Sequence, residues 1–256
     1  MYKISVLGSG IGYTASPAVH GAIAAATGVE IACDTVDISD ADIGETVKRL
    51  LAERDGFFVT KPFKFDIGRY IGSPAFGAVN VVRSRDRAAE NTDGSGFMHA
   101  LDRNFVGWRD RVESALVLGA GGGAWAVTSA LKAAGVNVYV LNRSAVPAAK
   151  LCAATGCELY ANQKTELAVN CTSVGADGDI LRSLCVIPRF EYAFDLAYSG
   201  ETPFLAKCRD GGSLVANGYD MLVYQAIDGD KFLFGEAFAD TERIFDKAKS
   251  ILLNRK

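Results

Sequence analysis

The chain has 256 residues, a formal net charge of −3, and 49% hydrophobic against 22% charged residues. That is enough apolar material for one large globular domain or two modest ones, and it excludes a disordered chain. No basic run points to a nucleic-acid or membrane-surface partner, and no apolar stretch reaches the roughly 18 residues of a membrane span. Six cysteines without C-x-x-C spacing, beside only two histidines, speak against a zinc site.

Lys3 to Leu7 reads as a first strand with no room before it for a signal peptide. The cysteines are therefore expected to be reduced thiols in a cytoplasmic protein. Gly8 to Gly12 is a glycine-rich loop. Ser16-Pro17 then starts a helix, a hydroxyl N-cap followed by Pro at the first helical position, and Gly28 stops it. Ala32 to Ile38 reads as a second strand. Ser39-Asp40 is expected to cap a helix whose apolar positions Ile43, Val47, Leu50 and Leu51 follow helical spacing. Gly56 to Thr60 is a third strand, which Lys61-Pro62-Phe63-Lys64 breaks before a short helix. Ala78 to Val82 and Ala88 to Asn91 look like strands around a polar turn. A helix through Phe97, Ala100 and Leu101 is expected to join two lobes.

The second lobe opens on Ser114 to Leu118, a short apolar run that reads as a buried strand. It is followed by Gly119-Ala120-Gly121-Gly122-Gly123-Ala124 and an alanine-rich helix from Trp125 to Ala134. Strand, glycine turn, helix is the context in which a G-x-G-x-x-G/A pattern implies a dinucleotide. Gly119 allows the tight turn, Gly121 lets the backbone approach a pyrophosphate, and Ala124 lets helix and strand pack closely. The first helical N–H groups then face the phosphates. The next strand, Asn137 to Leu141, ends where an NAD-binding domain carries an acid for the ribose hydroxyls; here stand Asn142, Arg143 and Ser144. An acid would repel a 2′-phosphate, whereas Arg143 can pair with one, so the site reads as NADP rather than NAD. Leu167 to Cys171 and Tyr192 to Leu196 are later strands. The C-terminal stretch is helical, with Phe238, Phe245, Ile251 and Leu252 spaced for one face.

Four segments of the first lobe place polar side chains at strand-to-helix junctions, where open α/β sheets bind ligands. Thr14-Ala15-Ser16-Pro17 offers two hydroxyls at a helix N-terminus, though Ser16 is otherwise simply a cap. In Thr60-Lys61-Pro62-Phe63-Lys64, Lys64 falls in the first turn of a helix, where the dipole disfavours its charge and suits it to proton transfer; the ordinary alternative is a solvated lysine. Asn80 of Gly77-Ala78-Val79-Asn80 both donates and accepts, which suits a polyhydroxylated ligand. Asp93 of Asn91-Thr92-Asp93-Gly94 can hold a hydroxyl and an ammonium, or cap a helix.

Taken in order, these segments resemble the shikimate dehydrogenase family. Its pattern runs S-x-S-P, N-V-T-x-P-F-K, G-A-V-N, N-T-D-G, G-A-G-G, N-R-T, T-P-F-L and G-M-L-x-x-Q-A. The chain answers with the four segments above, then Gly119 to Gly122, Asn142-Arg143-Ser144, Thr202-Pro203-Phe204-Leu205 and Asp220 to Ala226. Phe58 stands where the motif has Asn, Thr14 replaces the first Ser, Asp220 replaces a Gly, and Pro147 stands where a further Arg often grips the 2′-phosphate.

The resemblance implies a two-lobed α/β fold with a cleft. Residues 1–97 form the substrate domain, with helices of 218–256 packing back on it, and 107–217 form a Rossmann-type NADP domain. It implies oxidation of a ring hydroxyl of shikimate to 3-dehydroshikimate, with Lys64 and Asp93 as the catalytic pair. Thr14, Ser16, Thr60, Asn80, Tyr198 and Gln225 would line the substrate site. Gly119, Ala120, Gly121, Gly122, Gly123, Asn142, Arg143, Ser144, Leu196 and Gly218 would hold the cofactor. The partner is a small cyclic hydroxy acid and the enzyme a monomer or homodimer. Phe58 keeps open a related ring, quinate or an aminated analogue, with NAD; a dinucleotide-binding module without turnover is the third reading, against which Lys64 and Asp93 speak.

Overall fold

The computed structural model describes residues 1–39, 42–72, 77–172, 189–198 and 200–254. They divide into two compact units, Met1–Thr92 with Leu222–Lys256, and Asp93–Met221.

In the first unit a five-stranded sheet has the order β2-β1-β3-β4-β5, built from β1 (Tyr2–Gly8), β2 (Ile31–Asp37), β3 (Gly56–Val59), β4 (Val81–Arg83) and β5 (Ala88–Glu90). β1 pairs in parallel with β2 and β3, while β4 and β5 run antiparallel. α1 (Ser16–Thr27) follows β1 and α2 (Ile43–Glu53) follows β2, so the strand order reverses between β1 and β3. The central strands are buried on both faces. Phe57 and Val59 pack with Ile43, Val47 and Leu50 of α2 and with Ile67 and Ile71 of α3 (Ile67–Ile71). Ile4, Val6, Phe58 and Val81 pack on the other side with Leu233 of α8 (Tyr219–Phe234). The last helix, α9 (Thr241–Leu253), packs on α1.

The second unit begins with α4 (Asp93–Asn104) and holds a six-stranded, all-parallel sheet. Its strands are β6 (Ser114–Leu118), β7 (Asn137–Leu141), β8 (Glu158–Leu159), β9 (Leu167–Asn170), β10 (Tyr192–Asp195) and β11 (Leu214–Asn217), in the order β11-β10-β9-β6-β7-β8. Counted from β6, this is the doubly wound order 3-2-1-4-5-6 read from the other edge. Its helices are α5 (Gly122–Ala133), α6 (Ala145–Thr155) and α7 (Pro203–Asp210). α4 lies close on α5, since a methyl group on Gly94 would come within 3.2 Å of the Ala126 carbonyl.

Several local expectations are corrected. Ser16 does not cap α1: it is the first helical residue, Ala15 holds the cap position without a side-chain bond, and the Thr14 hydroxyl donates to Ser16 Oγ at 3.1 Å. Lys64 lies not in an α-helical first turn but in a single 3-10 turn, Phe63–Phe65, ahead of α3. The apolar C-terminal positions do not share one helix, because Phe238 sits in a separate 3-10 turn and α9 starts only at Thr241. α6, α7, β8 and β11 were not legible in the sequence. Asp40 and Cys185 lie outside the described residues.

Candidate active site

In the first unit the residues singled out gather at the C-terminal edge of the parallel strands, beside the point where strand order reverses, where ligand crevices form. β1 leads into the loop bearing Thr14 and Ser16; β3 leads into Thr60 and Lys64. The two loops touch. Thr60 N–H donates to the Leu7 carbonyl at 2.9 Å and Ser9 N–H to the Lys61 carbonyl at 3.1 Å. A side chain at Gly8 would run into the Thr60 methyl at 2.6 Å, so the close approach requires glycine. The Asp37 carboxylate, at the end of β2, accepts from the Gly10 and Ile11 amides at 2.7 and 2.9 Å and fixes the glycine-rich loop. Sequence reading missed that role; a carboxylate at a strand's C-terminal end, level with a glycine loop, was its signal.

Lys64 is half-buried, and its carbonyl accepts from Val79 N–H at 2.8 Å, which ties the lysine's turn to the segment before β4. Asn80 follows at once and is 2% exposed. Its side chain bonds on both sides: Oδ1 accepts from Thr92 N–H at 2.8 Å, while Nδ2 donates to Thr92 Oγ1 at 3.0 Å and to Gln225 Oε1 at 3.2 Å. The Thr92 hydroxyl in turn donates to the Gln225 carbonyl at 2.8 Å. Asn80 and Gln225, 145 positions apart, thus share one network, with Thr92 as the member sequence reading left without a role.

Phe58 does not face this edge. It is 5% exposed, packs in the core with Ile4, Val6 and Leu233, and its ring centroid lies 4.5 Å from that of His20. The departure from the motif that keeps a related ring open therefore does not reach the polar edge: alternation along β3 turns Phe58 toward α1 and α8, not toward the loops.

In the second unit, Gly119 has φ +108° and sits against Thr172, whose methyl would lie 3.1 Å from an added Cβ. Gly121 holds the cap position of α5 with open space beside its α-carbon, and Gly122 begins the helix. Gly123 is opposed by Leu196, whose methyl would lie 2.9 Å from an added Cβ. Gly218 has no room for a side chain at all, because the Leu196 carbonyl occupies that space, and its own N–H donates to the Ala197 carbonyl at 2.9 Å. Ala120 is half-buried in the turn, and Ala124 is fully buried under the helix. After β7 the Asn142 amide donates to the Ser144 carbonyl at 2.8 Å, and Arg143 and Ser144 are exposed. Pro147 is exposed in the first turn of α6.

Tyr198 and Leu196 lie in the half-buried segment that leaves β10. This segment is organised by Asp195, a fully buried carboxylate that sequence reading did not single out. Asp195 accepts from Asn170 Nδ2 at 3.0 Å, from the Thr202 hydroxyl at 2.6 Å and from Ala197 N–H at 2.9 Å. Thr202 also caps α7 by accepting from Leu205 N–H. Burial, then the charges of Asp195 and Asp93, push the Cys171 thiol well above its usual range, which disfavours the thiolate form there. Asp93 begins α4 and is 6% exposed, and the departure at Asp220 is absorbed by a 3.1 Å bond from Asn104 Nδ2. Among the described residues no cluster of metal-ligating groups occurs and no helix is long and apolar enough to cross a membrane.

Residues 6–82 match the model of the shikimate dehydrogenase substrate binding domain. The NADP(+)-type shikimate dehydrogenase of Brucella abortus strain S19 is 32% identical over 260 residues, covering 91% of this chain and 89% of that one. The chain belongs to the shikimate dehydrogenase family. The enzyme of the same name from Vesicomyosocius okutanii is 29% identical over 97% of this chain and 100% of its own. Among solved structures, shikimate 5-dehydrogenase from Thermus thermophilus, in complex with NADP(H) and shikimate, superposes with a TM-score of 0.81. It is 26% identical over 98% of this chain and 100% of that one.

Proposed function

We propose that the chain interconverts shikimate and 3-dehydroshikimate with NADP. What supports the reading is the polar edge of the first unit, a set of hydroxyls, amides and one lysine around Thr14, Ser16, Thr60, Lys64, Asn80 and Gln225, in a chain that is 32% identical to an NADP-type shikimate dehydrogenase. Such a set suits a ring carrying several hydroxyls and a carboxylate: hydroxyl groups accept from and donate to ring hydroxyls, and amides do both.

The second unit fits the cofactor. The space beside Gly121, the cap position of α5 and the exposed Arg143 answer in turn to a pyrophosphate, its negative charge and a 2′-phosphate. Gly119 to Gly123, Asn142, Arg143, Ser144, Leu196 and Gly218 would hold it, and bound NADP supplies the hydride acceptor. Lys64 takes the proton of the substrate hydroxyl in oxidation and returns it in reduction; Asp93 is the second member of the catalytic pair, and Tyr198 joins the substrate residues.

Nicotinamide reduction followed at neutral pH, with shikimate and quinate against NADP and NAD, tests the substrate and cofactor together. Shikimate with NADP should be turned over fastest; equal or better turnover of quinate overturns the substrate assignment. Lys64→Ala should lose roughly 10²–10⁴-fold in kcat with little change in substrate affinity. A variant as fast as the parent would remove the proton-transfer role.

A further inference from the structure

α1 and α8 meet through a polar pair that the proposed chemistry does not use. His20 of α1 and Asp230 of α8 are both fully buried, with Nδ1 and Oδ2 3.0 Å apart. Neither His20 Nε2 nor Asp230 Oδ1 has a hydrogen-bond partner among the described residues. Burial raises the Asp230 carboxyl above its usual range, partly offset by His20. The ring of Phe58 lies against His20, and Gly229, next to Asp230, is the residue that makes room for that ring: a methyl group there would overlap it. Buried polar pairs with unsatisfied atoms are poor stabilisers, and two apolar side chains of similar volume generally do as well or better. What such a pair supplies is direction, because a hydrogen bond allows one mutual placement of two helices where apolar contact allows several.

Its place in the two helices gives that direction a consequence. His20 stands one turn beyond Ser16 on α1. Asp230 stands five residues beyond Gln225 on α8, which is about 7.5 Å along the helix axis and about 140° around it. The Gln225 end of α8 is already held by Thr92 and Asn80. The helix is thus fixed by polar bonds at two heights and on two faces. We propose that the His20–Asp230 pair is a positioning pair for substrate: it sets α8 against α1 and thereby holds Gln225 at its working distance from Ser16. This rests on the proposal that Ser16 and Gln225 bind the substrate.

The test replaces both members, His20→Leu with Asp230→Leu, and separately makes Asp230→Asn, which keeps a hydrogen-bonding side chain opposite the imidazole. The leucine pair should fold, with KM for shikimate raised roughly tenfold, the worth of one misplaced substrate hydrogen bond. KM for NADP and kcat should stay within about threefold of the parent. Asp230→Asn should restore most of the shikimate KM, which a purely space-filling role would not do. A leucine pair with unmoved shikimate KM, both KM values rising together, or an asparagine variant as impaired as the leucine pair, each overturns the proposal. Should the leucine pair fail to fold, Asp230→Ala carries the same comparison with the same outcomes. A parent that does not oxidise shikimate removes the functional reading and this inference with it; a parent that does, with unmoved KM in the variants, removes the inference alone.

Discussion

Gly218 carries a constraint that no other residue type meets. The space a Cβ would take is filled by the Leu196 carbonyl, and the N–H of Gly218 bonds to the neighbouring Ala197 carbonyl, so the end of β11 is pressed directly on the end of β10. Gly218→Ala must push one of these backbones away, an overpacking expected to cost about 1–3 kcal/mol. Because Leu196 also covers Gly123 at the glycine turn, the displacement should weaken NADP binding more than it weakens shikimate binding. Titration of cofactor fluorescence checks this, and a variant with parental affinity and melting temperature would show that the contact is not tight. Single residues were unevenly legible in the sequence. The glycines of the turn could be read because their chemistry is local. Phe58 and Ser16 could not: the face of β3 that Phe58 occupies depends on helices packed from elsewhere, and the Ser16 hydroxyl is engaged by Thr14 two residues earlier.

At the scale of elements, the strands that were legible are the continuous apolar runs, such as Ser114–Leu118 and Leu167–Asn170, buried on both faces of a parallel sheet. β8 and β11 escaped notice because both are short edge strands, one of two residues and the other of four, too short for a periodic pattern to stand out. α6 escaped because Pro147 in its first turn and the alanines after it leave little periodic contrast. The connection after β10 shows what sequence periodicity cannot carry: its shape comes from Asp195, which gathers a strand amide, a loop N–H and a helix-cap hydroxyl. Asp195→Ala leaves those three donors buried without an acceptor, at about 1–3 kcal/mol for each that water fails to reach. The expected outcome is a loss of several kcal/mol in denaturant unfolding together with weaker NADP binding, since Leu196, which lies on the freed segment, sits against Gly123 of the glycine turn. A variant that loses neither would mean the network is dispensable.

At the scale of the whole molecule, the ordered set of motifs was the legible quantity, and membership in the family follows from similarity spread over nine-tenths of the chain. What holds the discontinuous first unit together was not legible, because it joins residues far apart in sequence: Arg83 of β4 donates to the Phe232 carbonyl of α8 at 2.8 Å and lies over the Phe232 ring, 149 positions away. Asp86 holds that arginine in place, accepting from Nε at 3.0 Å and Nη2 at 2.8 Å. These bonds from Arg83 draw the Asp86 carboxyl down to about 2. A carboxylate depressed in the folded state adds stability that is present in full above its unfolded pKa of about 3.9 and is lost as pH falls through the folded value. Melting temperatures of the parent and of Asp86→Asn should therefore differ at pH 5 and converge between pH 4 and 2, with the parent the more stable at the upper end. Asp86 lies at the surface, so the gap should also shrink in high salt. A gap that keeps its size down to pH 2 would mean that Asp86 holds Arg83 by shape and not by charge, and that the clasp between β4 and α8 is the arginine's alone.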